Sequence, residues 1–125
     1  MTRIKKRVIC NLIDELAEHE AERCVAKGWN TGDPLTDFQV ATKLVLIHSE
    51  ISEAVEAFRT NAMDFHLPHR KGIEVELADA IIRILDLVGS LGLSIGDALF
   101  EKDDYNDTRE DHKLVNRALP GGKRF

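Results

Sequence analysis

The chain has 125 residues, of which 43% are hydrophobic, and 22 acidic against 17 basic residues give it a net charge of -5. A chain of this length is expected to form one domain, residues 1–125, with enough buried surface for a hydrophobic core. The negative charge argues against a general nucleic-acid surface, which needs clustered cations. No run of about 18 apolar residues is present that would cross a membrane. The N-terminus has helical spacing rather than the pattern of a signal peptide, so a cytoplasmic domain is expected.

The first two helical segments are marked by clear end signals. Apolar residues recur at helical spacing from Arg3 to Lys27, and Gly28 follows as the residue that ends the segment. The single tryptophan, Trp29, comes next at the helix end, beside a turn. Its position is compatible with a residue that fills the core and with one that stacks on a nucleobase. The capping-box pattern Thr36-x-x-Gln39 then predicts the start of a second helix, which runs on to about Arg59.

The sequence of the second half of the chain predicts two more helices and a tail. Residues 64–72 form a connection because they contain Pro68 and end in a glycine. A third helix is predicted from Ile73 to Leu91, ended by Gly89 and Gly92, and a last one from Ser94 to about Asp107. The apolar period then disappears, so residues from about 110 to 125 are expected to form an irregular tail.

The fold class follows from these segments. No alternating run bounded by hairpin turns is present, so strands are not expected. Four helices joined by short connections predict an all-α four-helix bundle.

Two of the predicted helices carry acids three residues apart, Glu50 with Glu53 and Glu76 with Asp79. At about 100° per residue, the two acids of a pair lie within roughly 60° of each other on the helix. The first pair shares its sector with small and apolar residues that ordinarily pack against another helix, namely Leu46, Ile47, Ala54 and Ala57. A buried carboxylate without a basic partner needs a compensating cation, which favours a metal site.

The other faces of these helices are also patterned. An apolar stripe runs along the second helix through Leu44, His48, Ile51, Val55 and Phe58, and the core stripe of the third contains Leu77, Ile81, Ile84 and Val88. Arg83 follows Asp79 by one helical turn, so a salt bridge between them is one interpretation of the acidic edge. If the edges of both helices face each other, four carboxylates meet without Cys or His. Hard ions such as Mg²⁺ and Mn²⁺ select such a donor set.

The two acidic segments resemble a known pair of motifs. SEISEAVEAFR at residues 49–59 and VELADAIIRILDL at residues 75–87 are similar to the motifs of MazG-like all-α nucleoside triphosphate pyrophosphohydrolases. That family includes relatives of dimeric dUTPases and of phosphoribosyl-ATP pyrophosphatase. The ending, YNDTRE followed by GGKRF, is similar to the tail of small members that are often phage-encoded. The resemblance covers about Trp29 to Arg124.

The resemblance implies metal-dependent hydrolysis of a (deoxy)nucleoside triphosphate to the monophosphate and pyrophosphate, with two or three Mg²⁺ or Mn²⁺ ions at the site. It assigns the metal ions to Glu50, Glu53, Glu76 and Asp79. The attacking water would then be activated by a glutamate of the first motif, preferably Glu53 and otherwise Glu50. We expect a purine deoxynucleotide such as dGTP.

The expected substrate contacts are less specific, because pocket residues vary between members of the family. Trp29 and Asn30 would lie near the base, and the phosphates would be contacted by cationic and polar side chains, namely Lys43, Arg83, Lys102, Tyr105, Asn106 and Arg109. An insertion, DHKLVNRALP, separates the Arg109 region from GGKRF, which leaves the role of Lys123 and Arg124 open.

The resemblance also implies that a partner chain completes the bundle, so a homodimer or a dimer of dimers is expected. Two other functions are compatible with an acidic helical domain. One is a non-enzymatic interaction or regulatory protein whose acids lie on the surface. The other is a di-iron carboxylate bundle, but that architecture uses Glu-x-x-His pairs, and the sequence contains none.

Overall fold

The computed structural model describes residues 1–122, and over this range the chain is helical, with no strand. The helices are α1 (Arg3–Ala26), α2 (Asp37–Thr60), α3 (Gly72–Ser90) and α4 (Ile95–Thr108), followed by a 3-10 turn (Glu110–His112) and the short α5 (Leu114–Arg117). The predicted all-α class and the four main helices are confirmed. Within residues 1–122, none of the helices combines the length and the apolar character that a membrane span requires. Lys123 and Arg124 lie outside the described residues.

The ends of α1 and α2 follow the local sequence signals. Gly28 has a φ of +76° just after α1, a conformation that glycine adopts without steric cost. At the start of α2, the Thr36 hydroxyl accepts a hydrogen bond from the backbone N–H of Gln39 at 3.3 Å. The Gln39 side chain accepts one from the Thr36 backbone N–H at 2.8 Å. The predicted capping box is therefore present.

Gly89 has a different role from the predicted one. It lies inside α3, which continues to Ser90, so the prediction that it ends the helix is wrong. A Cβ atom at this position would be 2.1 Å from the carbonyl oxygen of Ala17 in α1. Gly89 is thus the residue that lets the backbones of α1 and α3 approach each other.

The chain divides into two compact units. The terminal unit consists of residues 1–13 together with the chain from Ser94 onward, and the central unit is Asp14–Leu93. Within the terminal unit, Lys6 forms a 2.7 Å ion pair with Asp104. Within the central unit, α2 packs against α3.

The packing of α2 against α3 uses the acidic sector of α2. Glu50 and Ala54 are buried, as the sequence predicts for that sector. The apolar stripe of α2 and the predicted core stripe of α3, in contrast, lie largely on the surface of this chain. On α2, Ile51 is 44% and Phe58 is 70% exposed, and Leu44, His48 and Val55 are exposed as well; on α3 only Val88 of the four stripe residues is buried. The prediction that Leu77, Ile81 and Ile84 belong to the core is therefore wrong for a single chain. The apolar stripe of α2 is exposed because α2 presents its other face to α3.

The close approach at Gly89 can be tested by Gly89→Ala. In an ordinary helix this change gains up to about 1 kcal/mol in the free energy of unfolding. Here the added methyl group overlaps the Ala17 carbonyl, so we expect a loss of about 1–3 kcal/mol or more, as for other overpacked sites. Urea unfolding of both proteins measures the difference. A more stable variant would show that the two backbones do not meet at this residue.

Candidate metal centre

Three acids of the central unit come together where α2 packs on α3. Glu50 of α2 and Glu76 and Asp79 of α3 each offer one oxygen, and these oxygens all lie within 4.8 Å of one another. We call these three residues the carboxylate cluster. Glu50 is only 6% exposed. Glu50 of the first pair therefore faces both acids of the second pair across the helix interface, as the sequence predicts.

Glu53, the fourth predicted ligand, lies near this group but outside it. It is exposed, and together with the cluster it lines a cavity of about 520 Å³, which we call the acid cavity. The cavity is also lined by the connection between α2 and α3, including Asp64 and His66. An exposed carboxylate at the edge of the cluster has access to solvent that Glu50 lacks.

The pKa values of two acids of the cluster, Glu76 and Asp79, are raised. Burial raises the pKa of Glu76, and the charges of Glu53, Glu50, Asp79 and Asp64 raise it further. Burial also raises the pKa of Asp79, with an added contribution from Glu50, while Arg83 acts in the opposite direction. The cluster is thus a place where negative charge is crowded and not fully neutralised, so a divalent cation would stabilise the charged carboxylates.

Arg83 supplies a positive charge to the cluster by a contact that the sequence did not indicate. Its Nε atom donates a hydrogen bond to Oε1 of Glu50. The guanidinium therefore reaches from α3 to α2 and forms its ion pair there, rather than with Asp79, one turn earlier on its own helix. Arg83 still lowers the pKa of Asp79 through its charge.

Asp64 is an acid near the cluster that sequence analysis did not select. Its Oδ1 atom accepts hydrogen bonds from the backbone N–H groups of His66 at 3.0 Å and Leu67 at 2.5 Å. The carboxylate is thereby fixed beside the acid cavity, and its charge raises the pKa of Glu76 and Asp79. An aspartate that opens a turn before a proline is a recognisable signal for such a structure.

A second cavity of the central unit, of about 730 Å³, lies next to the acid cavity. Asp79 lines both cavities, so they meet at the carboxylate cluster. The second cavity is lined by two highly exposed aromatic residues, Trp29 at 72% and Phe38 at 80% exposure. We call it the aromatic cavity. Trp29 was predicted to contact a base, whereas Phe38 was not selected from the sequence.

Asp86 forms the polar part of the aromatic cavity. Its side chain is nearly buried, and Oδ1 accepts hydrogen bonds from Asn30 Nδ2 at 3.3 Å and from Ser90 Oγ at 3.2 Å. Its Oδ2 atom accepts a hydrogen bond from Lys43 Nζ. Burial raises the pKa of the nearby Cys24 thiol, and its hydrogen bond with Asp86 raises it further. The predicted residues Asn30 and Lys43 thus meet at a carboxylate that was not predicted as part of the site.

The remaining predicted residues belong to the terminal unit. Lys102 Nζ lies 4.7 Å from the ring centroid of Tyr105. Arg109 forms hydrogen bonds to both carboxylate oxygens of Asp111, at 2.9 and 2.6 Å. Asn106 is half-buried, and its Oδ1 atom is buried without a hydrogen-bond partner among residues 1–122. These contacts describe the terminal unit by itself, so a role of the four residues at the phosphates stays a prediction.

No protein-family model, no curated protein and no solved structure matches this chain. The carboxylate cluster and the two cavities beside it are therefore the features of this chain that bear on its function.

Proposed function

We propose that this protein is a metal-dependent nucleoside triphosphate pyrophosphohydrolase, as its resemblance to the MazG-like family implies. It would convert a (deoxy)nucleoside triphosphate into the monophosphate and pyrophosphate. The main observation in support is the carboxylate cluster, whose ligand oxygens lie within 4.8 Å of one another. The adjoining aromatic cavity, at about 730 Å³, is within the size range of small-molecule sites.

The donor set fits Mg²⁺ or Mn²⁺. Glu50, Glu76 and Asp79 offer carboxylate oxygens, which hard divalent ions prefer. Glu53 lines the same cavity and is proposed as a further ligand. When bound, such ions neutralise phosphate charge and lower the pKa of a coordinated water. We propose two or three ions per site, because a triphosphate and four carboxylates would otherwise repel each other.

The chain's own residues have separable roles in this proposal. The exposed carboxylate of Glu53 orients the attacking water and takes its proton, while the buried Glu50 is held in place by Arg83. The contact with Glu50 uses only the Nε atom of Arg83. Since Arg83 also lines the aromatic cavity, its other N–H groups are available to donate to phosphate oxygens. Lys102, Tyr105, Asn106 and Arg109 are proposed phosphate contacts on the resemblance alone.

The proposed orientation of the substrate is supported by the residue that the two cavities share. Asp79 lines both, so the phosphates would lie at the carboxylate cluster and the base would extend into the aromatic cavity. Trp29 and Phe38 offer aromatic faces there, and such faces stack on nucleobases. A purine deoxynucleotide such as dGTP is the proposed substrate, hydrolysed in the cytoplasm.

A homodimer, or a dimer of dimers, is part of the proposal. The stripe of α2 that contains Ile51, Val55 and Phe58 is apolar and largely exposed in this chain. Contiguous exposed apolar surface of this kind marks a protein interaction site. A second copy offers the same stripe in return, which a two-fold symmetric interface requires.

The alternatives make different predictions. A di-iron bundle would place histidines among the ligands, whereas the residues that form the carboxylate cluster are all acids. A non-enzymatic interaction protein would show neither metal-dependent stability nor nucleotide hydrolysis. Metal-dependent melting and the release of pyrophosphate separate these functions from the proposed one.

Replacing Glu53 with Gln tests the catalytic proposal. The amide has nearly the same shape but cannot take a proton, so we expect pyrophosphate release to fall by at least about 100-fold, with the helical content unchanged. Glu56→Gln is the matched control, because Glu56 is exposed and paired with Arg59 at 3.2 Å. Unchanged turnover in Glu53→Gln would remove this residue from the mechanism. Release of orthophosphate would show that a different bond is broken.

The raised pKa values of Glu76 and Asp79 predict a pH-dependent stability. A carboxyl group with a raised pKa binds its proton more tightly in the folded chain. In EDTA, the melting temperature should therefore fall as the pH rises from about 4 through those raised values. Mn²⁺ binds the charged carboxylates, so the stabilisation by Mn²⁺ should increase over the same range.

Melting curves at a series of pH values, with EDTA or Mn²⁺, measure both trends. The double variant Glu76→Gln, Asp79→Asn should lose the decline in EDTA and the stabilisation by Mn²⁺. A wild-type melting temperature that is unaffected by Mn²⁺ at every pH would contradict the metal site.

The dimer is tested by placing charge on the apolar stripe of α2. Ile51→Asp and Phe58→Asp should convert the protein to a monomer, because an unpaired carboxylate in an apolar interface is costly. Ser52→Asp, on the neighbouring solvent-facing side of α2, should leave the assembly intact. Analytical ultracentrifugation gives the mass of each species. A wild-type protein that sediments as a monomer would contradict the proposal.

A further inference from the structure

The two cavities follow each other along the interface between α2 and α3. On α2, Leu46 lines the aromatic cavity, whereas Glu50 and, further along the helix, Ala57 line the acid cavity. On α3, the acids of the carboxylate cluster separate Gly72 at the acid cavity from Ile82 at the aromatic cavity. A nucleotide whose base lies in the aromatic cavity and whose α-phosphate lies at the cluster therefore extends its β- and γ-phosphates into the acid cavity.

The acid cavity contains one side chain that can donate an N–H group to these phosphates. Among the described residues that line it, five are acids and His66 is the one with a nitrogen in its side chain. An imidazole carries an N–H group whether it is neutral or charged. A weaker positive contribution comes from α3, because its first residue, Gly72, lines the same cavity and the N-terminal end of a helix dipole favours anions.

The connection between α2 and α3 holds His66 at this cavity. Its ends are joined by a hydrogen bond from the Asp64 backbone N–H to the Arg70 carbonyl oxygen at 3.0 Å. Within the loop, Asp64 Oδ1 accepts a hydrogen bond from the His66 backbone N–H at 3.0 Å. The imidazole stands nearly perpendicular to the Phe65 ring, with the two centroids 5.2 Å apart. His66 is exposed, so a ligand in the cavity can reach it.

We infer that His66 binds the pyrophosphate that leaves in the proposed reaction. As water attacks the α-phosphorus and Glu53 takes its proton, the bond from this phosphorus to the oxygen that bridges it to the β-phosphate breaks, and the electron pair stays on that oxygen. The imidazole N–H donates a hydrogen bond to a pyrophosphate oxygen and stabilises the charge that develops there. Glu53 and His66 belong to different elements of the cavity wall, which allows attack on one side of the phosphorus and departure on the other. This role rests on the proposed function and adds a catalytic residue to it.

His66→Ala tests this role, with His69→Ala as the matched control. His69 is exposed and belongs to the same connection, but it is not among the described residues that line either cavity. With Mg²⁺ and dGTP, we expect kcat for pyrophosphate release to fall at least about tenfold in His66→Ala and to keep the wild-type value in His69→Ala. His66→Gln should recover part of the loss, because its amide also donates. Equal kcat values for the wild type and His66→Ala would overturn the role.

Binding of the two products separates a contact with pyrophosphate from a general disturbance of the site. Isothermal titration calorimetry with Mg²⁺ gives the Kd of inorganic pyrophosphate and that of dGMP. His66→Ala should weaken pyrophosphate binding about tenfold, as expected for a lost hydrogen bond to a charged group. The Kd of dGMP should stay unchanged, because the monophosphate lies at the cluster and in the aromatic cavity. An equal loss of affinity for both products would overturn the assignment of His66 to pyrophosphate.

Failure of this role and failure of the proposed function give different results. If wild-type protein and His66→Ala release pyrophosphate equally well, the proposed hydrolase stands and the role of His66 fails. If the wild type releases pyrophosphate from none of the nucleoside triphosphates with Mg²⁺ or Mn²⁺, the proposed function fails and the role of His66 fails with it. Since the His66 side chain is exposed, its replacement is expected to leave the fold intact, and circular dichroism of each variant checks this.

Discussion

The structure of the central unit depends on how α2 packs against α3. α2 turns its acidic sector towards α3, so that Glu50 lies in the interface and is only 6% exposed. Burying a carboxylate costs several kcal/mol unless it is paired, and Arg83 provides one partner. Glu76 and Asp79 approach the same point, which adds more negative charge than one arginine neutralises. The interface is therefore better suited to binding cations than to maximising apolar contact.

The same packing explains the exposed apolar surface. An amphipathic helix ordinarily turns its apolar stripe towards its neighbour. Here the acidic sector has that position, and Val55 and Phe58 on the other stripe are left 55% and 70% exposed. In an isolated chain this arrangement would forgo much of the hydrophobic stabilisation that the sequence can provide. The proposed metal site and the proposed self-association are thus two consequences of one orientation of α2.

Local signals in the sequence were sufficient to predict the four main helices, whereas the 3-10 turn and α5 lie in the segment that was predicted to be irregular. The capping box at Thr36 and the glycine after α1 depend on neighbouring residues, and both are found as predicted. The meeting of Glu50 with Glu76 and Asp79 was also predictable, because helical spacing fixes which residues share a face.

Other features depend on packing between residues distant in the sequence. Gly89 resembles a helix end by composition, but its environment is set by Ala17 in another helix. Arg83 has a suitable partner one turn away and pairs across the interface instead. The contact between Lys43 and Asp86 joins residues 43 positions apart. Neither periodicity nor spacing contains that information, so the polar wall of the aromatic cavity could not be predicted from the sequence.

The two buried carboxylates at these cavities differ in their surroundings, and this difference separates their roles. Glu50 lies among other acids, so the group that it lacks is a cation. Asp86 is surrounded by an amide, a hydroxyl and an ammonium group. It is already stabilised as an anion and does not need a metal. The proposed divalent ion is therefore assigned to the carboxylate cluster, whereas Asp86 links α3 to Asn30 and Lys43 through its hydrogen bonds.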